Sequence, residues 1–496
     1  MTARGRVVVV GFGAAGAAAA VTACRGGASV LVLEKQPAAA HTPSTRMSGG
    51  LVMGLRDAVA GARYLDGCAG GMVPEPVSRA WAERAAGLVA WLSALDPAME
   101  LSPVGGAEQP EVEGSGSVVV VQPGASGARL DRSSGAGGAL YRALAAATGS
   151  AGAGVRWEAP VRRLTRANGR RVDGVELVSG ERVAADAVVL ACGGYEFDEE
   201  LKRDHLRAYP VHFYGNPGNT GDGVRMAQDV GASLWHMNQM VGRAIGRFRL
   251  PDGTDMGFII GIGPPGYVIT DRHGNRFADE EPQAALLHGF YYELLAFDHR
   301  RGEYPRIPCY WFFDERRRRA GPLTYPHIGA VGVGLYDWSE DNAREIEAGW
   351  VHRGASVEEA AAAAGVLDPA RAAASVSAYN DGCRTGSDPF GRPPASLVPL
   401  DSPPYYCVPL WPGGSNTSGG PRRDERSRVL DVFGAAIPGL YAAGELGQAV
   451  GLRYPADGSN LSEAMCFGQI AGEEAARFAA AGDGAPVPSR PAPAAG

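Results

Sequence analysis

Three observations on this 496-residue chain predict an α/β fold carrying an inserted domain. Residues 7–10 are four consecutive valines, as expected of a strand buried on both faces of a parallel sheet. Strand-like runs meeting glycine return at Ala187–Leu190, before Ala191-Cys192-Gly193-Gly194, and at residues 439–443, before Gly444-Glu445. Between about Met240 and Pro404, strand-like and helical segments mix without a βαβ rhythm. The two ends of the chain are therefore expected to share one sheet, with the middle forming a separate α+β domain.

Gly11-Phe12-Gly13-Ala14-Ala15-Gly16 follows the valine strand and opens an Ala-rich helix to about Arg25. A second strand, residues 29–33, ends in Glu34, which completes a βαβ unit. In this context the glycine spacing predicts a Rossmann-type dinucleotide site. Gly11 allows the tight turn, Gly13 lets backbone approach a pyrophosphate, and Gly16 lets helix pack on strand. The helix N-terminus offers N–H groups to phosphates, and Glu34 offers acceptors to ribose hydroxyls. A second match, at residues 261–266, contains Pro264 and Pro265 and opens no helix, so one dinucleotide site and no separate NAD(P) domain are expected. A last helix is predicted from Ser459 to about Ala480, and a cap helix over residues 358–364. The expected boundaries are 1–239 and 405–480 for the nucleotide-binding domain and 240–404 for the cap. A Gly/Ala/Pro tail, 481–496, is expected to be disordered.

Hydrophobic residues make up 45% and charged residues 20% of the chain, an ordinary globular composition. A net charge of −7 argues against nucleic acid or an anionic membrane as partner. The seven cysteines are scattered and contain no C-x-x-C, so neither a disulfide framework nor a metal site is expected, and a cytoplasmic location fits. Arg4 and Arg6 before an apolar run imitate a secretory signal, but the glycine motif occupies that run, and no other stretch is long enough to span a membrane. Arg316 to Arg319, preceded by Asp314 and Glu315, read as a solvated surface.

Residues 7–35, 46–50, 186–194, 216–231, 267–280 and 439–474 resemble the flavoprotein superfamily of soluble fumarate reductases and 3-ketosteroid dehydrogenases. The resemblance implies a Rossmann-type FAD-binding domain with an inserted cap domain, and non-covalent FAD held by Gly11, Gly13, Ala14, Ala15, Gly16, Glu34 and Lys35. It further implies cofactor contacts from Arg46, Ser48, Gly49, Gly50, Gly193, Asp222, Gly444, Glu445, Ser459, Asn460 and Leu461. The helix starting near Ser459 would direct its N-terminus at the N1–C2=O edge of the flavin, stabilising an anionic reduced ring. Some membrane-bound relatives attach FAD through a His-Thr; here His41-Thr42 lies about two residues too far from Gly49.

The cations with which fumarate reductases hold and protonate a dicarboxylate are replaced: Ala284, Gly263, Pro455 and Ser415-Asn416 stand in their places. A dianion would be poorly neutralised. Tyr454-Pro455-Ala456-Asp457-Gly458 resembles instead the Tyr-Pro-x-x-Gly signature of the ketosteroid dehydrogenases. By that resemblance the Tyr454 hydroxyl and the Gly458 N–H bind a substrate carbonyl, acidifying the α-carbon. The acid/base position of that family is Ala284; His288, Tyr291, Tyr292 and Tyr267 are nearby alternatives, with His288 and Tyr291 or Tyr292 sharing a helix face. Arg243 falls near the family's substrate-binding histidine, and with Arg247, Arg422 and Arg453 it could hold one carboxylate. The expected activity is oxidation or reduction of a CH–CH bond next to a carbonyl in a small molecule, with an external electron acceptor or donor. The alternatives are a reductase of a carboxylated alkene using these arginines, and a flavoprotein that only carries electrons.

Overall fold

The computed structural model describes residues 5–124, 135–167, 169, 171–263, 265–285 and 287–481. Apart from Ala481, which closes the last helix, the tail expected to be disordered lies outside the described residues. The backbone divides into two compact units, residues 1–201, 216–239 and 417–496 in one and residues 202–215 and 240–416 in the other.

The first unit is built on a six-stranded sheet in the order Arg428–Leu430, Ala436–Ala442, Ala187–Leu190, Arg6–Val10, Ser29–Leu33, Gly154–Arg156. All neighbours are parallel except the first pair. Val7, Val8 and Val9 have no exposed surface, because helices cover both faces of a parallel sheet. Strands from both ends of the chain meet here: Val188 to Leu190 pair with Leu440 to Ala442 on one side and with Val8 to Val10 on the other. The helices Ala14–Arg25 and Ser459–Ala481 pack against each other through small residues. A Cβ on Gly468 would lie 2.5 Å from the Ala15 carbonyl oxygen, and one on Gly472 would lie 2.3 Å from that of Ala19. This close approach sets the depth at which the last helix begins.

The second unit has a seven-stranded sheet whose spine is Tyr405–Thr417. It pairs antiparallel with Cys309–Asp314 and His352–Gly354, and parallel with His212–Phe213. Met240–Arg249, Asp255–Phe258 and Tyr267–Thr270 complete the sheet. The helices Val357–Ala364 and Pro369–Thr385 bury Ala360, Ala372, Val376 and Tyr379 with Val268, Phe312 and Cys407 of the sheet.

The second compact unit takes in both residues 202–215 and residues 240–416, because strand pairing along Tyr405–Thr417 recruits both segments. One local expectation is corrected. Arg317 is buried instead of lying on a solvated face. Its guanidinium donates to the carbonyls of Gly261, Ile262, Gly321 and Pro322, and burial pushes its pKa down to about 10. Its neighbours Arg316, Arg318 and Arg319 pair with Asp314 and Glu315. His288 lies just before the short helix Phe290–Glu293, and its carbonyl accepts the Tyr291 N–H at 3.3 Å.

The helix crossing yields a direct test. Gly472→Val should place a side chain on the Ala19 backbone and cost about 1–3 kcal/mol. The expected readout is a lower urea midpoint with native-like helical circular dichroism before the transition.

Candidate cofactor and active site

The loop after the first strand shows which glycines the protein itself requires. Gly11 has φ +98°, and a Cβ there would lie 2.4 Å from the Ala191 carbonyl oxygen. A Cβ on Gly16 would lie 2.0 Å from the Gly11 carbonyl oxygen. Gly13 differs: its φ is −90°, and a Cβ would meet nothing nearer than Thr45 Oγ1 at 3.6 Å. The fold leaves room there for a side chain, so the glycine at 13 suits a group that approaches from outside the chain. No side chain caps the helix that begins at Ala14, and its first turn carries no acid, although Ala14 N–H donates to Thr45 Oγ1 at 2.8 Å. These features fit a pyrophosphate.

Glu34 accepts the Phe12 N–H at 3.0 Å and the Gln36 N–H at 2.8 Å. Burial works to raise its pKa, but the His41 hydrogen bond and these two amides outweigh it and hold the carboxyl below its usual range. His41 Nε2 lies 3.4 Å from Glu34 Oε2, and His41 Nδ1 lies 2.7 Å from the Tyr141 hydroxyl. Phe12, Tyr141 and Trp157 enclose the ring. With both nitrogens engaged, His41 is fixed as a structural partner of Glu34, which fits FAD held without a covalent bond.

Further along the same unit, Lys35 Nζ donates to Thr220 Oγ1 at 3.0 Å and to Asp222 Oδ2 at 2.7 Å. Arg46 donates to the His41 carbonyl at 2.8 Å. The Ser48 hydroxyl donates to the Thr45 carbonyl at 2.7 Å and accepts the Gly50 N–H at 3.1 Å, while the Gly49 carbonyl accepts from Gln122. Gly193, at φ +77°, is required by the protein, since a Cβ there would lie 2.4 Å from Asn219 Oδ1. Gly444, at φ +79°, lies against Ala15 of the first helix.

Glu445 Oε2 accepts from the Ser44 hydroxyl at 3.2 Å and from Asn219 Nδ2 at 3.0 Å. The side chain is crowded by protein atoms while part of its surface stays accessible. Close by, the fully buried Glu196 accepts on Oε1 from the Thr417 N–H at 2.6 Å and the Thr417 hydroxyl at 2.8 Å. Burial raises both carboxyls, and the Glu196 charge drives Glu445 further, well above the carboxylate range. Glu196, Asn219 and Thr417 were not among the residues singled out from the sequence. The usable signal was the diglycine at 193–194, which has to be glycine because Asn219, Glu196 and Thr417 side chains occupy the space.

The helix Ser459–Ala481 starts with no acid in its first turn. Its Asn460 N–H donates to the Tyr454 hydroxyl oxygen at 3.2 Å, and Asn460 Oδ1 accepts from Gln448 at 3.0 Å. Gly458 has φ +81°, its Cβ position is blocked by Leu51 backbone, and its carbonyl accepts from Met53 and Ser462 N–H. The Ser459 hydroxyl both donates to the Ala456 carbonyl and accepts the Ala456 N–H, so this side chain shapes the loop and any cofactor contact at 459 falls to its backbone. Leu461 is buried on the same first turn.

In the second unit, Arg243 Nη2 lies 2.9 Å from His288 Nε2, both residues being buried. A guanidinium can only donate, so Nε2 is the acceptor and the ring is neutral. The other arginines considered for a carboxylate are committed elsewhere. Arg247 pairs with Asp255 at 3.1 Å, Arg453 pairs with Glu111 at 3.1 Å, and Arg422 is exposed over Trp235. Tyr267 donates to Glu281 and packs under Arg392.

The FAD binding domain family model matches residues 6–461, and the chain belongs to that family, with FAD as its cofactor. It is 33% identical over 382 residues to 4-oxocyclohexanecarboxylate 2-dehydrogenase of Sinomonas cyclohexanicum, covering 70% of this chain and 62% of that protein. It is 30% identical over 319 residues to 3-oxosteroid 1-dehydrogenase of Mycobacterium tuberculosis (strain H37Rv), covering 58% of this chain and 52% of the relative. The chain thus spans between half and two thirds of the length of these curated relatives. Among solved structures, 3-ketosteroid Δ1-dehydrogenase from Sterolibacterium denitrificans shares the fold, with a TM-score of 0.79 at 23% identity over 95% of this chain and 99% of that one. A flavocytochrome c3 fumarate reductase shares it at a TM-score of 0.67 and 23% identity, over 96% of this chain and 78% of that one.

Gly13→Ala separates cofactor binding from folding. The apo chain should melt within about 0.5 kcal/mol of wild type, whereas FAD affinity should fall by about 1–3 kcal/mol, or roughly tenfold to a hundredfold in Kd. Flavin fluorescence titration of the apoprotein reads the second quantity.

Proposed function

We propose that the chain is an FAD-dependent oxidoreductase that dehydrogenates a CH–CH bond next to the carbonyl of a cyclic ketone, or saturates the corresponding enone. The observation that carries this reading is the Tyr454 hydroxyl seated on the N-terminus of the helix Ser459–Ala481. A phenol oxygen that accepts the Asn460 N–H is polarised, so its own O–H becomes a stronger donor to a substrate oxygen. The Gly458 N–H is the second donor. Two donors on one carbonyl oxygen stabilise the enolate that forms as a general base takes the α-proton. Bound FAD supplies the two-electron acceptor for the hydrogen on the β-carbon. The positive end of a 23-residue helix favours negative charge at the same place.

The printed names of the relatives, an oxocyclohexanecarboxylate dehydrogenase and an oxosteroid dehydrogenase, support a ring ketone as the substrate class. A reductase of carboxylated alkenes is less favoured, because Arg247 and Arg453 already face Asp255 and Glu111. Electrons would pass to a quinone, a flavin carrier or oxygen. All seven cysteines are free, which supports a reducing, cytoplasmic setting. Among the described residues no helix is long and apolar enough to cross a membrane.

Tyr454→Phe should lower kcat on a ring ketone by about 10²–10³ while flavin content stays at the wild-type level. Anaerobic flavin bleaching on addition of the ketone reads the step directly, and equal bleaching rates in the two proteins would remove Tyr454 from the carbonyl site.

A further inference from the structure

Two carboxyls of the first unit, the buried Glu196 and the partly accessible Glu445, lie about the Asn219 side chain, and only Glu445 is expected to contact the cofactor. Glu196 has no exposed surface; its Oε1 takes both Thr417 donors, and its Oε2 is buried without a hydrogen-bond partner among the described residues. Asn219 Nδ2 ties Ser44 and Glu445 together. The turn at 193–194 holds this arrangement tightly, since Cβ atoms there would lie 2.4 Å from Asn219 Oδ1 and 2.4 Å from Glu196 Oε1.

The charged neighbours are accounted for from each packed element. Glu463 reaches in from the last helix and is met by Arg423, while Arg46, on the helix that carries Ser44, donates to the His41 carbonyl. Lys35 pairs with Asp222 at the start of the helix Asp222–Asp229. Each of these cations is thus engaged elsewhere, and the charge of Glu196 disfavours ionisation of Glu445 beside it. Two donors from Thr417 favour the charged form of Glu196. Glu445 accepts on Oε2 from both Ser44 and Asn219, which leaves Oε1 as the oxygen to carry a proton.

We propose that Glu196 is a positioning residue that carries the charge of this pair and keeps Glu445 in its acid form, so that Glu445 Oε1 offers an O–H to the cofactor. The inference rests on the reading that Glu445 contacts FAD. A carboxylic acid at this position would donate to a hydroxyl or carbonyl oxygen and would add no negative charge against a cofactor that already carries two phosphates. Glu196, which has no exposed surface, would act through Glu445.

Infrared titration of the holoenzyme tests the pair. Wild type should show a protonated carboxyl C=O band at pH 7 that is absent from Glu445→Gln. In Glu196→Gln the midpoint for loss of that band should fall by about one to three pH units, because the like charge is gone. The proposal is overturned by an unmoved midpoint in Glu196→Gln, by the absence of the band from wild type at pH 7, or by a band that survives in Glu445→Gln. The last arm needs no Glu196 variant and decides which residue holds the proton even if Glu196→Gln does not fold. FAD titration of Glu445→Ala is independent of these arms. A roughly tenfold weaker Kd supports the Glu445 contact, and an unchanged Kd removes that contact whatever the infrared bands do.

Discussion

The buried ion pair of Arg423 and Glu463 is the constraint on which the rest of the candidate site depends. Neither side chain has any exposure. Burial pushes Glu463 up and Arg423 down toward their neutral forms, and only their mutual attraction and added hydrogen bonds oppose that. Arg423 also donates to the Gly447 carbonyl and stacks on Phe467, while Glu463 Oε1 accepts the Ala449 N–H. The pair therefore fastens the segment after Gly420, the 444–450 loop and the last helix at one point. Leaving either charge alone in that place would cost about 3–5 kcal/mol. Glu445, Gln448 and Asn460 lie on two of those three segments, so their positions are set by a contact that none of them makes.

Acidic residues in this unit show how environment divides roles among identical side chains. Glu34 is surrounded by donors, from Phe12 and Gln36 amides and the His41 ring, and remains a carboxylate suited to accept from hydroxyls. Glu463 is paired with a guanidinium and is structural. Glu445 feels the charge of Glu196 and takes its hydrogen bonds from the neutral side chains of Ser44 and Asn219. Four glutamates thus become an acceptor, an anchor and a pair of like groups that raise each other's cost of ionisation, with the difference lying in neighbours contributed by distant parts of the chain.

Close approach does comparable work for the backbone. Gly11, Gly16, Gly468 and Gly472 each admit a carbonyl oxygen to within 2.5 Å of where a Cβ would stand. They bring the first helix against its strand and the last helix against the first. Gly13 alone in the loop is not demanded by any of this packing, which separates a glycine kept for a ligand from glycines kept for the fold.

Period, turn chemistry and spacing in the sequence determined the α/β class, the first βαβ unit, the start of the last helix at Ser459 and the dinucleotide character of the first loop. Each of these is local: a β-branched run, a glycine at a fixed offset, an acid at a strand end. Only tertiary structure decided that Glu196 and Thr417, 221 positions apart, form one hydrogen-bonded pair, and that Arg317 within an arginine run is buried against four carbonyls. It also decided that Arg247 and Arg453 are taken up by Asp255 and Glu111, whereas Arg243 meets His288. The reason is physical. Backbone propensity is written in neighbouring residues, but the fate of a charge depends on burial and on partners that are adjacent only after folding.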